Sequence, residues 1–287
     1  MRLLSTRRRH PLMRALFLAL ALFAMGALYT AVAPSSSSNA DGGQSTQVEE
    51  GKALYQVGCS SCHGLQGEGT SQGPTLIGVG SAAVDFQMAT GRMPATAPGA
   101  QIPTKPNRYT EAEIAAIGAY IDSLGTGITI PEQGQYSMSR PQRNAFPEGT
   151  AGDAEYNAAV EEYERVVARG GELFRTNCSA CHNFEGKGGA LPEGKYAPSL
   201  VGVSGKHIWE AMRTGPQQMP VFSQEVITDD DARAIIAYLN ELHSRPNGGL
   251  DLGGLGPVSE GFWAWVLGIG GAVAFAVWIT AKGVRAK

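Results

Sequence analysis

The stretch Cys59-Ser60-Ser61-Cys62-His63 decides the reading of this chain, and it recurs as Cys178-Ser179-Ala180-Cys181-His182. C-x-x-C-H is the attachment signature of a c-type haem. The two sulfurs form thioethers to vinyl groups on one edge of the ring, and the following imidazole turns beneath the iron as an axial ligand. The two motifs together use all four cysteines of the chain. A shared zinc site is disfavoured, because paired zinc motifs lie roughly 12–20 residues apart, whereas these begin at Cys59 and Cys178. A thioredoxin-like redox pair needs βαβ surroundings, and the sequence shows none. The expected cofactors are therefore two covalently bound haem c groups, on Cys59 and Cys62 and on Cys178 and Cys181.

The motifs sit inside an internal repeat. Gly51 and Tyr55 precede the first motif as Gly170 and Phe174 precede the second. Gly73-Pro74-Thr75-Leu76-Ile77-Gly78-Val79 matches Ala197-Pro198-Ser199-Leu200-Val201-Gly202-Val203, with five extra residues between motif and proline in the second copy. Gly91-Arg92-Met93-Pro94 then matches Gln217-Gln218-Met219-Pro220. Each copy closes with a helix. Thr110-Glu111-Ala112-Glu113 is a capping box ahead of Ile114, Ile117, Ile121 and Leu124 at helical spacing. Thr228 opens the second, with Asp229, Asp230 and Asp231 in a first turn that favours acids.

An iron that only moves electrons takes a sixth ligand, and methionine sulfur favours the ferrous state. Met93 and Met219 are the expected sixth ligands, opposite His63 and His182. Each precedes a proline and lies between the motif and the closing helix. Met88, Met138 and Met212 compete but lack a partner in the other copy, and a methionine is more often core filling. A ligating imidazole donates its second nitrogen to an oriented acceptor, and the carbonyls of Pro74 and Pro198 are placed for that task. Tyr55 and Phe174 are expected to pack on haem or on the closing helices. His207 and His243 have no counterparts: His207 reads as a surface residue and His243 as a favourable charge at a helix end. Arg92 could pair with a haem propionate, but Gln218 stands at the matching position.

The ends carry different information. Arg2, Arg7, Arg8, Arg9 and Arg14 precede an uncharged run from Ala15 to Ala33, the pattern of export with the N-terminus inside. Ala31-Val32-Ala33 resembles a cleavage site, so a cleaved signal and a retained anchor are both open, with a slight lean to retention. Phe262 to Ala281 is uncharged, has Trp263 and Trp265 at one edge, and is followed by Lys282, Arg285 and Lys287. It reads as a transmembrane helix with a cytoplasmic C-terminus. The first 33 residues carry five basic side chains and the last 26 carry three, neither with any acid; the rest holds 15 basic against 26 acidic residues. An acidic exterior argues against nucleic acid as a partner. With 38 glycines and 16 prolines, the folded part is expected to be loop-rich and organised around haem.

The expected domains are 1–33 signal or anchor, 34–47 flexible linker, 48–125 first haem domain and 126–152 surface linker. A second haem domain at 153–246, opened by a charged helix over Asp153–Arg169, a glycine-rich neck at 247–261, a membrane helix at 262–281 and a cytoplasmic tail at 282–287 complete the chain. The fold class is mainly α.

The two copies resemble class I cytochrome c domains in tandem. Their order, from N-terminal apolar run to C-terminal span, resembles the dihaem cytochrome c subunit of the actinobacterial menaquinol–cytochrome c reductase, the cytochrome bcc complex. So does the phrase Val84-Asp85-Phe86-Gln87-Met88-Ala89-Thr90-Gly91-Arg92-Met93-Pro94. The resemblance implies a cell-membrane location with the haem domains on the extracytoplasmic side. It also implies partners: a cytochrome b subunit, a Rieske iron–sulfur subunit and a terminal haem-copper oxidase in a supercomplex. Electrons would pass from the Rieske centre to the first haem, then the second, then the oxidase, and the chain would do no bond chemistry of its own. Three other readings stand beside it. A cbb-type oxidase subunit is disfavoured by the C-terminal span. A dihaem peroxidase or thiosulfate-oxidising enzyme needs an open iron. A tethered carrier would belong to no fixed complex.

Overall fold

The computed structural model describes residues 11–32, 40–244 and 257–283. They are almost entirely helical. In chain order the helices begin with α1 (Pro11–Val32), α2 (Ala40–Gly58), α3 (Ser60–His63), α4 (Ser81–Ala89) and α5 (Glu111–Leu124). After α6 (Gln133–Tyr136) comes the long α7 (Thr150–Asn177), followed by α8 (Ser179–His182), α9 (Gly205–Thr214), α10 (Asp229–Ser244) and α11 (Pro257–Gly283). Between α8 and α9 a small antiparallel pair, β1 (Gly189–Ala190) with β2 (Tyr196–Ala197), is the only sheet among the described residues.

Residues 1–49 and 50–287 form two compact units, and both repeats lie in the second. α2 begins inside the segment 34–47 expected to be a linker, so residues 40–47 are helical rather than extended tether. α7 begins three residues ahead of the charged helix expected at Asp153 and continues to the second motif. α11 takes in the last five residues of the expected neck, 257–261; the rest of that neck and the tail beyond Gly283 lie outside the described residues.

Each repeat is built on one helix crossing. A Cβ on Gly51 of α2 would stand 1.9 Å from the carbonyl oxygen of Ala116 in α5. A Cβ on Gly170 of α7 would stand 1.9 Å from the carbonyl oxygen of Ala234 in α10. Only glycine lets two backbones approach that closely, so the same residue type at the same place in both copies fixes the same crossing. The aromatics one turn later then meet. Tyr55 lies 5.2 Å from Tyr120, ring centre to ring centre, and Phe174 lies 5.8 Å from Tyr238. Ile114, Ile117 and Ile121 complete the first core, and Ile208, Trp209, Ile235 and Leu239 the second. The capping box is formed: Thr110 Oγ1 accepts from the Glu113 N–H while the Glu113 carboxylate accepts from the Thr110 N–H.

The segment after α5 is an ordered strap. The Ile128 carbonyl accepts from Ala82 N–H at 3.0 Å, and Ile130 N–H donates to Ser81 Oγ at 3.3 Å, both in the first repeat. Further on, Gln135 Nε2 donates to Asp229 at 2.8 Å and Arg140 pairs with Glu241 at 2.9 Å, both on α10. The expected linker therefore binds one repeat to the other.

Among the described residues, one helix is long and apolar enough to cross a membrane, Gly261–Lys282 in α11, and none of it is buried. Lys282 Nζ sits 4.8 Å from the Trp278 ring centre, a polar anchor at the end of an apolar rod. In α1 the residues with described side chains, Ala15–Met25, are apolar as well.

Asp229 does more than complement the helix dipole. It accepts from Trp209 Nε1 at 2.9 Å, Arg213 at 2.7 Å, Gln135 at 2.8 Å and Gln224 at 2.8 Å. Arg213 is almost fully buried, so removing Asp229 strands a buried cation. Asp229→Ala is expected to cost about 3 kcal/mol. Burial opposes ionisation of Asp229, but its donors hold the carboxyl well below the usual carboxylate range. Its stabilisation is then complete above the ordinary carboxylate pKa and is lost as pH falls through the lowered folded value. Thermal melting of wild type and Asp229→Ala should differ clearly at pH 7 and converge in strong acid.

Candidate functional site

The two motifs continue the helices that precede them. Cys59 N–H donates to the Tyr55 carbonyl at 2.8 Å, and Cys178 N–H to that of Phe174 at 2.9 Å. His63 N–H then reaches the Cys59 carbonyl at 3.0 Å, and His182 N–H that of Cys178 at 2.9 Å. Each motif is thus one tight helical turn, with both sulfurs and the imidazole supplied from it. None of the four cysteines forms a disulfide. Burial, then the neighbouring cysteine, pushes the Cys59 and Cys178 thiols up to about 11, opposite to the lowered pKa of a reactive redox pair.

Both imidazoles are buried and tethered alike. His63 Nδ1 lies 2.8 Å from the Pro74 carbonyl, and His182 Nδ1 lies 2.9 Å from that of Pro198. A carbonyl only accepts, so Nδ1 carries the proton and Nε2 keeps its lone pair for a metal. Burial lowers the His182 pKa, against the opposing bond to Pro198, in the direction that favours the neutral ring. The loops that bring the prolines back also match. Gly69 and Gly188 donate to the histidine carbonyls, Leu76 to Gly67 and Leu200 to Gly186.

Proline follows histidine by eleven residues in the first repeat and sixteen in the second, yet the bond is the same. The added length forms the hairpin of β1 and β2. That hairpin receives the first repeat. Gln101 Nε2 donates to the Tyr196 carbonyl at 2.7 Å, and Tyr196 N–H returns a bond to Gln101 Oε1 at 3.0 Å. Beside it, Ile102 N–H donates to Gln217 Oε1 at 3.2 Å and Gln217 Nε2 donates to the Ile102 carbonyl at 3.3 Å. These two paired amides lock the first repeat's loop against the second. Sequence reasoning missed them, because partners 95 and 115 positions apart leave no periodic trace.

A cavity of about 750 Å³ opens at this junction. Cys178, Cys181, His182, Met219 and Phe174 line it, joined by Arg92 and Gln101 from the first repeat. The size is within the range for a bound cofactor. The wall is mostly apolar and carries two cysteines, a neutral imidazole and thioether sulfurs, so the donor set fits a covalently attached haem. Met212 also reaches this wall, so both candidate methionines of the second repeat face the same space. In the first repeat Met93 is half-buried on the loop after α4, its N–H bonded to the Gln87 carbonyl at 2.9 Å. Met88 is buried in the core. Met138 is half-buried on the strap.

Five other side chains are placed as follows. Tyr55 donates its hydroxyl to the Gly64 carbonyl at 2.7 Å and packs on the closing helix, as Phe174 does. Arg92 stacks 4.9 Å above the Phe86 ring and reaches the second repeat's cavity, which Gln218 also lines. His207 is not a surface residue. It turns inward from α9, with Nε2 3.5 Å from Asp85 of the first repeat. His243 is fixed by a bond between Nε2 and the Glu185 carbonyl at 2.8 Å.

Residues 48–125 match the family model described as cytochrome c, and residues 165–239 match that of the cbb3-type cytochrome c oxidase subunit III. The chain is 42% identical to the cytochrome bc1 complex cytochrome c subunit of Corynebacterium diphtheriae, over 93% of each chain. It is 40% identical to that of Mycobacterium tuberculosis, over 96% of this chain and 93% of the relative. The chain belongs to the family of cytochrome bc1 complex cytochrome c subunits. Full-length similarity decides this over the partial match to the oxidase subunit. Its two cytochrome c domains imply covalently bound haem c, an electron-transfer role in a respiratory complex, and association with a membrane.

Met219→Leu is expected to alter the visible spectrum and lower the midpoint potential of one haem. Met212→Leu should leave both unchanged. Redox titration of the purified complex followed optically checks the pair.

Proposed function

We propose that this cytochrome bc1 complex cytochrome c subunit is a two-haem relay. Its first centre would be held by Cys59, Cys62, His63 and Met93, its second by Cys178, Cys181, His182 and Met219. When bound, each haem iron supplies one-electron redox chemistry. The residues do the rest. The cysteines hold the ring, and the Pro74 and Pro198 carbonyls orient the imidazoles. Tyr55 and Phe174 seal the helix crossing beneath. Gln101 and Gln217 fix the distance between the repeats, so that transfer needs no docking step.

The cavity shared by the second motif and the first repeat's loop is the observation that most supports this reading. A second centre whose wall includes the first domain suits internal transfer better than two independent carriers. Electrons would enter from the Rieske iron–sulfur subunit, beside the cytochrome b that oxidises menaquinol. They would leave to a haem-copper oxidase held in the same supercomplex. The haem domains would stand on the extracytoplasmic face, with the chain returning through α11 to a cytoplasmic end. The subunit would act within an oxidoreductase complex without bond chemistry of its own. The partial match over 165–239 favours one second reading, a subunit of an oxidase.

Gentle detergent extraction through a tag on this chain separates them. Co-purification of b-type haem and a Rieske signal is expected. Recovery with oxidase subunits but without either would contradict the reductase assignment.

A further inference from the structure

The two repeats meet at a buried polar cluster that the relay does not use. Asp85 projects from α4 of the first repeat; Lys206, His207 and Glu210 project from α9 of the second. One ligand atom each from Asp85, His207 and Glu210 lie within 4.8 Å of one another. Glu210 is fully buried, and neither carboxyl oxygen has a hydrogen-bond partner. His207 Nε2 is likewise buried without one. Asp85 Oδ2 has Lys206 Nζ at 2.7 Å, an ion pair whose geometry makes no hydrogen bond. Buried polar atoms left unpaired cost free energy, and Asp85, His207 and Glu210 each bring a possible ligand atom to the same place.

The cluster also sets two carboxyl groups against the single ammonium of Lys206.

We propose that Asp85, His207 and Glu210 form a zinc-binding site that staples the first haem domain to the second. One imidazole nitrogen and two carboxylate oxygens form a donor set suited to zinc, with water as a fourth ligand. Calcium prefers six to eight oxygens, and magnesium prefers to keep its water. Lys206 is the competing cation. Its side chain is about one-third exposed, so it can withdraw to solvent when a dication replaces it. His207 also lines the haem cavity, and its ring meets Phe86 edge-on at 6.4 Å, so the staple sits at the junction between the two centres.

The test uses the intact detergent-solubilised complex, stripped with a chelator, re-equilibrated with zinc and assayed for metal by mass spectrometry. Wild type should retain about one more zinc per copy of this chain than Glu210→Gln or His207→Gln. The ratio of c-type haem to protein confirms that each variant has folded. Lys206→Met, which keeps all three ligands and removes the competitor, should bind zinc at least about tenfold more tightly. Equal zinc in wild type and both ligand variants, unchanged affinity in Lys206→Met, or equal retention of calcium would each overturn the proposal.

Discussion

Two hydrogen bonds, from His63 Nδ1 to the Pro74 carbonyl and from His182 Nδ1 to the Pro198 carbonyl, set the arrangement that the rest of the structure serves. Each decides which nitrogen carries the proton and which is free for a metal. The glycine crossings hold the motif helices in place, and the loops return the prolines to the rings. Even the length difference between the repeats is absorbed without disturbing this bond, by folding the surplus into a hairpin.

That hairpin shows how two copies of one domain became a single body. A free carrier domain has no need of the paired amides at Gln101 and Gln217, of a strap bonded to both halves, or of a buried charge cluster between them. All three are present, and they involve side chains from both repeats. Hydrogen bonds of this kind are individually modest, about 1 kcal/mol each. Their effect is geometric: they hold the two motifs at one separation.

The architecture was legible in the sequence wherever it was local or repeated. The motifs, the glycine and aromatic positions ahead of them, the Thr110 capping box and the apolar C-terminal helix all depend on residues close in the chain. What could not be read lies between the repeats. His207 has no counterpart and so looked like surface, yet it is turned inward by Asp85, more than a hundred positions away. Asp229 looked like an ordinary helix-start acid, but it gathers donors from the strap, from α9 and from the loop after it. The segment after α5 has the composition of a loose linker, and only its bonds to both sides make it a strap. Residues 40–47 have the composition of a tether and are helical.

The central claim is that both motifs of one chain carry haem through their cysteines, and the intact mass of the purified mature subunit tests it most directly. A mass exceeding that of the polypeptide by two haems, falling by one haem when Cys178 and Cys181 are both replaced by serine, is the predicted result. A single haem on the native chain, or loss of neither on that replacement, would contradict it.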